Sequence, residues 1–139
     1  MRYDPEQPLH NRYRIEHDFL TAERSEYLLK LTRIINAFFG WEYNSCESLL
    51  RGSNIFPIDF ANAVPDTSLI SLHYYFPWAI KALVRWSLFC AVTDRRTRLD
   101  LQTHEYFEIA DRDIPFEEKL ELYHKLALDY FQTERFDSF

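Results

Sequence analysis

The longest apolar segment of the chain, residues 69–92, constrains the fold more than any other feature. It reads LISLHYYFPWAIKALVRWSLFCAV, and its only side chains that carry charge are His73, Lys81 and Arg85. A helix with this composition is apolar around most of its circumference and is normally covered by protein. The sequence therefore predicts a buried central helix over residues 77–92.

A membrane span is the other structure that such a segment can form, since about 20 apolar residues cross a bilayer. Here Lys81 and Arg85 lie near the middle of the segment, and each would cost about 2.5 to 3.5 kcal/mol at the bilayer centre. Pro77 also interrupts the segment, and we expect the chain to restart or bend sharply there. We therefore expect no association with a membrane.

The fold class follows from chain length and glycine content. A chain of 16.9 kDa buries roughly 70% of the surface that its unfolded form exposes, which is enough for one core. Only two of the 139 residues are glycine, whereas β folds with many tight turns need more. We predict an all-α fold, a single compact bundle of about five or six helices formed by residues 21–139. Residues 1–20, with two prolines and many charges, are expected to form an N-terminal arm.

Two helices are predicted in the first half of this domain. Thr21 is a plausible N-cap for the first one, and Gly40 provides its left-handed end. Asn44 and Glu47 then have the spacing of a capping box, which predicts a short helix that ends at Gly52.

The following segments are less regular. Residues 53–66 contain two prolines and are predicted to form an apolar loop across the core. Residues 98–110 fit both a strand and a helix period, and we favour a helix. The last helix begins near Pro115, and Phe136 and Phe139 of the tail are expected to anchor it to the body or to a partner.

Positive charge is concentrated between the apolar segment and an acidic C-terminal third. Residues 77–98 hold five basic and one acidic side chain, and residues 99–139 hold four basic and eleven acidic ones. Arg95, Arg96 and Arg98 are therefore a candidate anion-binding cluster. The alternative is that they oppose the helix dipole and pair with the acidic last helix. Because the pI is near 5.3, nucleic acid is not the expected partner.

Two arginine–histidine pairs have a spacing of catalytic interest: Arg98 with His104, and Arg12 with His17. This spacing resembles the RNA-cleaving site of HEPN-type nucleases, which are small all-helical proteins. The resemblance implies that the arginine holds the phosphodiester while the histidine exchanges a proton. It covers the spacing alone, because Leu99 and Tyr13 stand where that family has a polar residue.

The sequence predicts no metal and no cofactor. Glu121 and His124 form one Glu-x-x-His step, whereas di-iron bundles use two such steps and two further glutamates. With Gly40 and Gly52 as the only glycines, a phosphate-binding glycine loop is excluded. We therefore favour a non-enzymatic function.

The leading hypothesis is a protein-interaction module. Aromatic residues make up 17% of the chain, more than a core of this size needs, so some of the rings are expected at a contact surface. The expected partner is a protein, and a second copy of the chain is one candidate. With two cysteines and no charged-then-apolar leader, a cytoplasmic location is expected.

Two other hypotheses remain open at this stage. The first is a small HEPN-like ribonuclease or nucleic-acid-binding protein that uses the arginine cluster together with His104. The second is a protein that binds a hydrophobic small ligand between helices. The candidate ligand-binding residues are His73, Tyr74, Tyr75 and Trp78.

Overall fold

The computed structural model describes residues 21–62 and 76–139. The elements in these ranges are α1 (Ala22–Phe39), β1 (Ser45–Arg51), β2 (Asn54–Asn62), α2 (Phe76–Thr93), α3 (Thr103–Ala110), α4 (Phe116–Phe131) and α5 (Thr133–Asp137). The predicted N-terminal arm lies outside the described residues. The structure is mostly helical, and it also contains a β-hairpin.

The hairpin makes the predicted all-α class wrong. Strands β1 and β2 pair antiparallel, with Leu49 opposite Phe56 and Leu50 opposite Ile55. They occupy the segment for which we predicted a short helix and then a loop. The reason is the two-residue turn that begins with Gly52, whose φ of 63° is the left-handed value that such a turn needs. Gly52, which was expected to end a helix, instead forms the turn between the two strands.

Helix α1 begins and ends where the sequence predicted. The Thr21 side chain accepts a hydrogen bond from the backbone N–H of Arg24 at 3.2 Å, which caps the first turn. Gly40 ends the helix with a φ of 69°. A side chain at this position would also collide with Leu101, because a Cβ would lie 2.6 Å from the leucine. The backbone conformation therefore favours glycine here, and a larger residue would in addition have to displace the end of the Leu101 side chain.

The main core lies where α1 crosses α4. Ala37 and Ala127 are almost completely buried there and Tyr130 is 4% exposed. The small alanine side chains let the two helices approach closely, and larger apolar side chains fill the surroundings. These are Ile34, Leu101 and Phe131. Helix α4 thus contributes Ala127 and Tyr130 directly to the core.

A helix does form over the predicted central segment. Helix α2 includes Pro77 in its first turn, where proline is tolerated because its missing N–H would have no helical partner. None of the helices in residues 21–62 and 76–139 combines the length and apolarity that crossing a bilayer requires.

The predicted burial of this helix is wrong. Within the described part of the chain, Phe89 is the one residue of α2 that is fully buried. Val84, Leu88 and Val92 are 50%, 53% and 72% exposed. Apolar residues lie on both sides of α2, and protein covers one side. The helix is therefore not the centre of the bundle.

The C-terminal tail covers the inner side of α2. The ring of Phe136 lies 5.3 Å from the rings of both Trp86 and Phe89, and that of Phe139 lies 5.6 Å from Phe89. Arg85 also donates a hydrogen bond to the Phe136 carbonyl at 3.0 Å. The expected anchoring of the tail to the body is confirmed.

Residues 98–110 form a helix over their second half. Helix α3 starts at Thr103, and the N–H of Gln102 donates to the Asp100 carboxylate at 2.9 Å just before it. Gln102 adopts a left-handed φ of 50°, which stops the helix from extending towards Arg98. The favoured helix is thus confirmed, with a later start.

The contrast between the two sides of α2 leads to a stability prediction. Phe89→Ala should lower the free energy of unfolding by about 3 to 5 kcal/mol, because it removes a fully buried ring from between α2 and the tail. Leu99→Ala is the control, since Leu99 is 99% exposed, and should change the stability by less than about 0.5 kcal/mol. Urea denaturation measures both variants. Equal losses would contradict the packing described for the tail.

Candidate functional site

An apolar groove of about 330 Å³ opens to the surface between α1, β2, α3 and α4. It is lined by Ile34, Ile35, Phe38, Phe39, Phe60, Tyr106, Phe107, Ala110 and Tyr123. We call this the aromatic groove. Six of its nine lining residues are aromatic, and together they place rings from four separate elements around one opening.

Phe38 connects the α1 wall of the groove to the α3 wall. Its ring meets that of Tyr106 edge to face at 5.2 Å and that of Phe107 at 6.2 Å. Edge-to-face geometry is favourable for aromatic rings, because the positive edge of one faces the negative surface of the other. Ile34 and Phe38 are four residues apart and therefore lie on the same face of α1.

The β2 wall is positioned by Phe39 and Asn44. The ring of Phe39 stacks on that of Trp41 at 4.5 Å and on that of Phe60 at 6.3 Å. The Asn44 amide donates to the side-chain oxygen of Asn36 in α1 at 2.7 Å and to the Phe60 carbonyl at 3.0 Å. These contacts hold the base of the hairpin against α1, so that Phe60 reaches the groove.

Tyr106 of the α3 wall stacks on Tyr123 of α4, and the centres of the two rings lie 5.8 Å apart. Burial raises the pKa of Tyr106 to about 12, and the nearby Glu105 carboxylate contributes in the same direction. The phenol is therefore neutral at physiological pH. Among the described lining residues, the hydroxyls of Tyr106 and Tyr123 are the only ionisable groups.

The groove adjoins an acidic segment of the chain. Residues 103–121, which include α3 and the first turns of α4, contain seven acidic and two basic side chains and thus carry a net charge of −5. Phe107 lies in this region and is 59% exposed. Glu121 of this segment is paired with Lys30 of α1, so the groove adjoins both the acidic segment and a basic residue of α1.

Arg95, one of the three arginines of the predicted anion-binding cluster, is buried and binds other residues of the protein. Its side chain is 2% exposed and forms an ion pair with Glu42. It also donates to the Tyr130 carbonyl at 3.1 Å, and its guanidinium lies 4.7 Å from the centre of the Trp86 ring. The guanidinium is already neutralised by a carboxylate and covered by an aromatic ring.

The other two arginines do not converge with it on a common open site. Arg98 donates to the Asp129 carboxylate at 3.0 Å, and Arg96 is 84% exposed beside Asp94. His104 is exposed in the first turn of α3. Within the described ranges, no hydrogen bond or ion pair joins Arg98 to His104. The second pair of the HEPN-like spacing lies outside the described residues.

Of the four ligand-binding residues predicted from sequence, Trp78 is the one within the described residues, and it does not line the aromatic groove. His73, Tyr74 and Tyr75 lie outside the described residues. Trp78 is in the first turn of α2 and is 38% exposed. Trp86, two turns further along α2, packs between Arg95 and the C-terminal tail.

The Glu-x-x-His step faces α1 rather than a metal. Glu121 forms an ion pair with Lys30, and this hydrogen bond lowers the pKa of Glu121. Burial lowers the pKa of His124, and the nearby Lys30 and Arg33 lower it further. In the part of the chain that the structure describes, no three histidine, cysteine or carboxylate groups are placed to hold a metal ion.

Sequence reasoning identified most of the groove residues, but as core-facing helix positions. In the sequence, Ile34 and Phe38 recur at the helical spacing that predicts an apolar face of α1, and Tyr106 and Tyr123 belong to the corresponding apolar faces of α3 and α4. Phe60 was missed, because its strand was taken for a loop. A turn signal at residues 52–53 between two apolar runs would have revealed the strand.

Comparison of the chain with protein-family models, with curated proteins and with solved structures finds no significant match. The function is therefore argued from the geometry of the groove.

The raised pKa of Tyr106 predicts a loss of stability at high pH. An unfolded tyrosine ionises near pH 10, whereas Tyr106 in the fold ionises near pH 12. Between these values the unfolded state binds fewer protons, so the free energy of unfolding should fall as the pH rises. In Tyr106→Phe this fall should be smaller. Denaturation of both proteins at pH 9 and pH 11.5 measures the difference, and identical slopes would contradict the assignment.

The buried position of Arg95 predicts a large difference between two chemically identical changes. Arg95→Met leaves the Glu42 carboxylate without its buried partner and should cost about 3 to 5 kcal/mol. Arg98→Met breaks an exposed pair with Asp129 and should cost no more than about 1 kcal/mol. Adding Glu42→Gln to Arg95→Met should cost less than the sum of the single changes. Additive losses would show that the two side chains are not coupled.

Proposed function

We propose that the protein is a non-enzymatic interaction module whose aromatic groove binds a basic amphipathic helical segment of a partner protein. The observation that carries this proposal is the open apolar groove, with ring walls from four elements and an adjoining acidic segment. Amphipathic helices are commonly bound in this way, with apolar side chains at i, i+4 and i+7 inserted into a groove.

The shape and chemistry of the groove favour a peptide over a small ligand. Small-molecule sites enclose most of the ligand surface and use several placed polar groups to orient it. The aromatic groove is open, and among the lining residues that the structure describes, the hydroxyls of Tyr106 and Tyr123 are the only side-chain polar groups. A partner can therefore bury apolar side chains here while its polar face stays in water.

The charge around the groove favours a basic partner. The net charge of −5 over residues 103–121 attracts lysine and arginine side chains at the rim and repels acidic segments. Most of this charge is exposed, so its main effects are on the association rate and on specificity. The affinity itself comes from burying rings such as Phe107.

The nuclease hypothesis has less support from the described contacts. Arg98 contributes its guanidinium to Asp129 and Gln102, which leaves fewer donors for a phosphate. The groove itself contains no histidine or carboxylate. Cleavage of RNA by Arg98 and His104 therefore stays the alternative hypothesis.

Peptide selection tests the proposal. A phage-displayed peptide library would be selected on the wild-type protein and counter-selected on Phe107→Glu. The selected peptides should be basic, should repeat apolar residues at helical spacing, and should bind with micromolar Kd in fluorescence anisotropy. Phe107→Glu should weaken binding at least tenfold, because it places a charge in the apolar wall. Phe116→Glu is the matched control, since Phe116 is also 59% exposed but does not line the groove.

Three results would contradict the proposal. Peptides that bind Phe107→Glu and the wild-type protein equally would place the contact elsewhere. Selective binding of an apolar dye, with no peptide selected, would favour the small-ligand hypothesis. Metal-independent cleavage of an RNA pool that disappears in His104→Ala would favour the nuclease.

A further inference from the structure

The outer edge of strand β1 is the part of the hairpin that is open to a further strand. In residues 21–62 and 76–139, β1 pairs with β2 alone, so one row of its backbone N–H and C=O groups has no strand beside it. The side chains near the hairpin tip reach solvent, since Leu49, Phe56 and Ile58 are 59%, 46% and 54% exposed. An open edge of this kind is a template for the addition of another strand.

The edge of β2 is protected against such addition, whereas the edge of β1 is not. Folded proteins protect exposed strand edges with proline and with bulges, and β2 has both. It contains Pro57, and it has one additional residue on each side of Glu47, where the register shifts. From Ser45 to Arg51, β1 contains no proline and no additional residue. The accessible edge of the hairpin is therefore that of β1.

The register also determines which backbone groups point outwards. Arg51 and Asn54 flank a two-residue turn and form a hydrogen-bonded pair, and along an antiparallel ladder such pairs alternate with non-hydrogen-bonded ones. Ser48, opposite Pro57, and Leu50 are therefore in non-hydrogen-bonded pairs, whose backbone groups point away from the neighbouring strand. On β2 this places the nitrogen of Pro57, which carries no hydrogen, at the outer edge. On β1 it places the N–H and C=O groups of Ser48 and Leu50 there, where a further strand can pair with them.

Three exposed side chains on one face of β1 carry opposite charges at its two ends. They are Glu47, Leu49 and Arg51, which share a face because side chains alternate along a strand. Within the hairpin, Glu47 lies opposite Asp59 and Arg51 opposite Asn54, so neither charge has an opposite charge across the ladder. No ion pair among the described residues involves either side chain. The open edge thus presents an acid, an apolar residue and a base in that order.

This order is complementary to itself when the strand is reversed. In an antiparallel pair of two β1 strands centred on Leu49, Glu47 of each copy lies opposite Arg51 of the other, and the two Leu49 side chains face each other. Opposite charges and apolar side chains directly across an antiparallel pair stabilise it. The same register sets the outward groups of Leu50 opposite those of Ser48, as the hydrogen bonds require. A pair centred on Ser48 or on Leu50 would set neither charge opposite the other.

We propose that the protein forms a homodimer in which the β1 edges of two copies pair antiparallel about Leu49, so that the two hairpins form one four-stranded sheet. Such a two-fold contact needs a self-complementary surface, which the charges of β1 provide. Leu49 lies opposite Phe56 within each hairpin, so a row of four apolar side chains crosses the sheet between the two Glu47–Arg51 pairs. This inference does not depend on the proposed function, because the aromatic groove uses Phe60 of β2 and no residue of β1.

A proline substitution tests whether the backbone of β1 makes the contact. Leu50→Pro removes an N–H that points away from β2, so the hairpin keeps its own hydrogen bonds while each dimer loses two. The dissociation constant in sedimentation equilibrium should rise about tenfold or more. Ile55→Pro is the matched control, because Ile55 lies opposite Leu50 and its N–H points to the outer edge of β2. It should leave the wild-type dimer intact, and circular dichroism checks that both variants are folded.

Charge reversal tests the register without changing the backbone. Glu47→Arg should weaken the dimer several-fold, because it sets two arginines opposite each other in each cross-strand pair. Arg51→Glu should weaken it as well, by setting two glutamates opposite each other. The double variant exchanges the members of each pair and should return the dissociation constant close to that of the wild type.

Several results would overturn the proposal. They are a monomeric wild-type protein at high concentration, equal effects of the two proline substitutions in folded proteins, and a double charge variant no tighter than the single ones. Extended peptides that bind a monomer and are lost in Leu50→Pro would assign the edge to a different protein. Phe107→Glu should leave the dimer intact, since it changes the groove alone. A dimer without peptide binding would thus reject the proposed function and keep this inference, and helical peptide binding by a monomer would do the opposite.

Discussion

The buried guanidinium of Arg95 is the interaction on which the rest of the arrangement depends. It pairs with Glu42, which follows α1, donates to the carbonyl of Tyr130 in α4, and lies over the ring of Trp86 in α2. Two helices, α2 and α4, and the loop between α1 and β1 thus share one charged group. A buried charge is strongly destabilising unless its partners stay in place, so this residue favours one relative placement of these elements over others.

The aromatic groove is a consequence of that placement. Its walls come from elements distant in the sequence, and they meet because Ala37 and Ala127 let α1 and α4 approach closely. Asn44 then holds the hairpin base against α1, which brings Phe60 beside Phe39. The groove therefore requires the helix crossing and the hairpin together. This dependence makes it a feature of the folded domain and not of a local motif.

Helix α2 carries more apolar surface than the described part of the fold covers. Its apolar composition is typical of a buried helix, yet Phe89 faces the tail while Val84 and Leu88 face away from it. Composition reports how much apolar surface a helix carries, and does not report whether the same chain or another one covers it.

The sequence by itself determined those features that depend on residues close together in the chain. Three such features follow from backbone dihedrals and nearby hydrogen bonds. They are the cap at Thr21, the left-handed end of α1 at Gly40 and the start of α4 after Pro115. Gly52 is a turn signal from which the hairpin could have been predicted. The capping-box spacing before Gly52 predicted a helix instead, and strand pairing outweighed that local preference. The tertiary structure decided the rest. Arg95 binds a carboxylate 53 residues away, and the groove joins four elements, because such contacts depend on three-dimensional packing that periodicity along the chain does not encode.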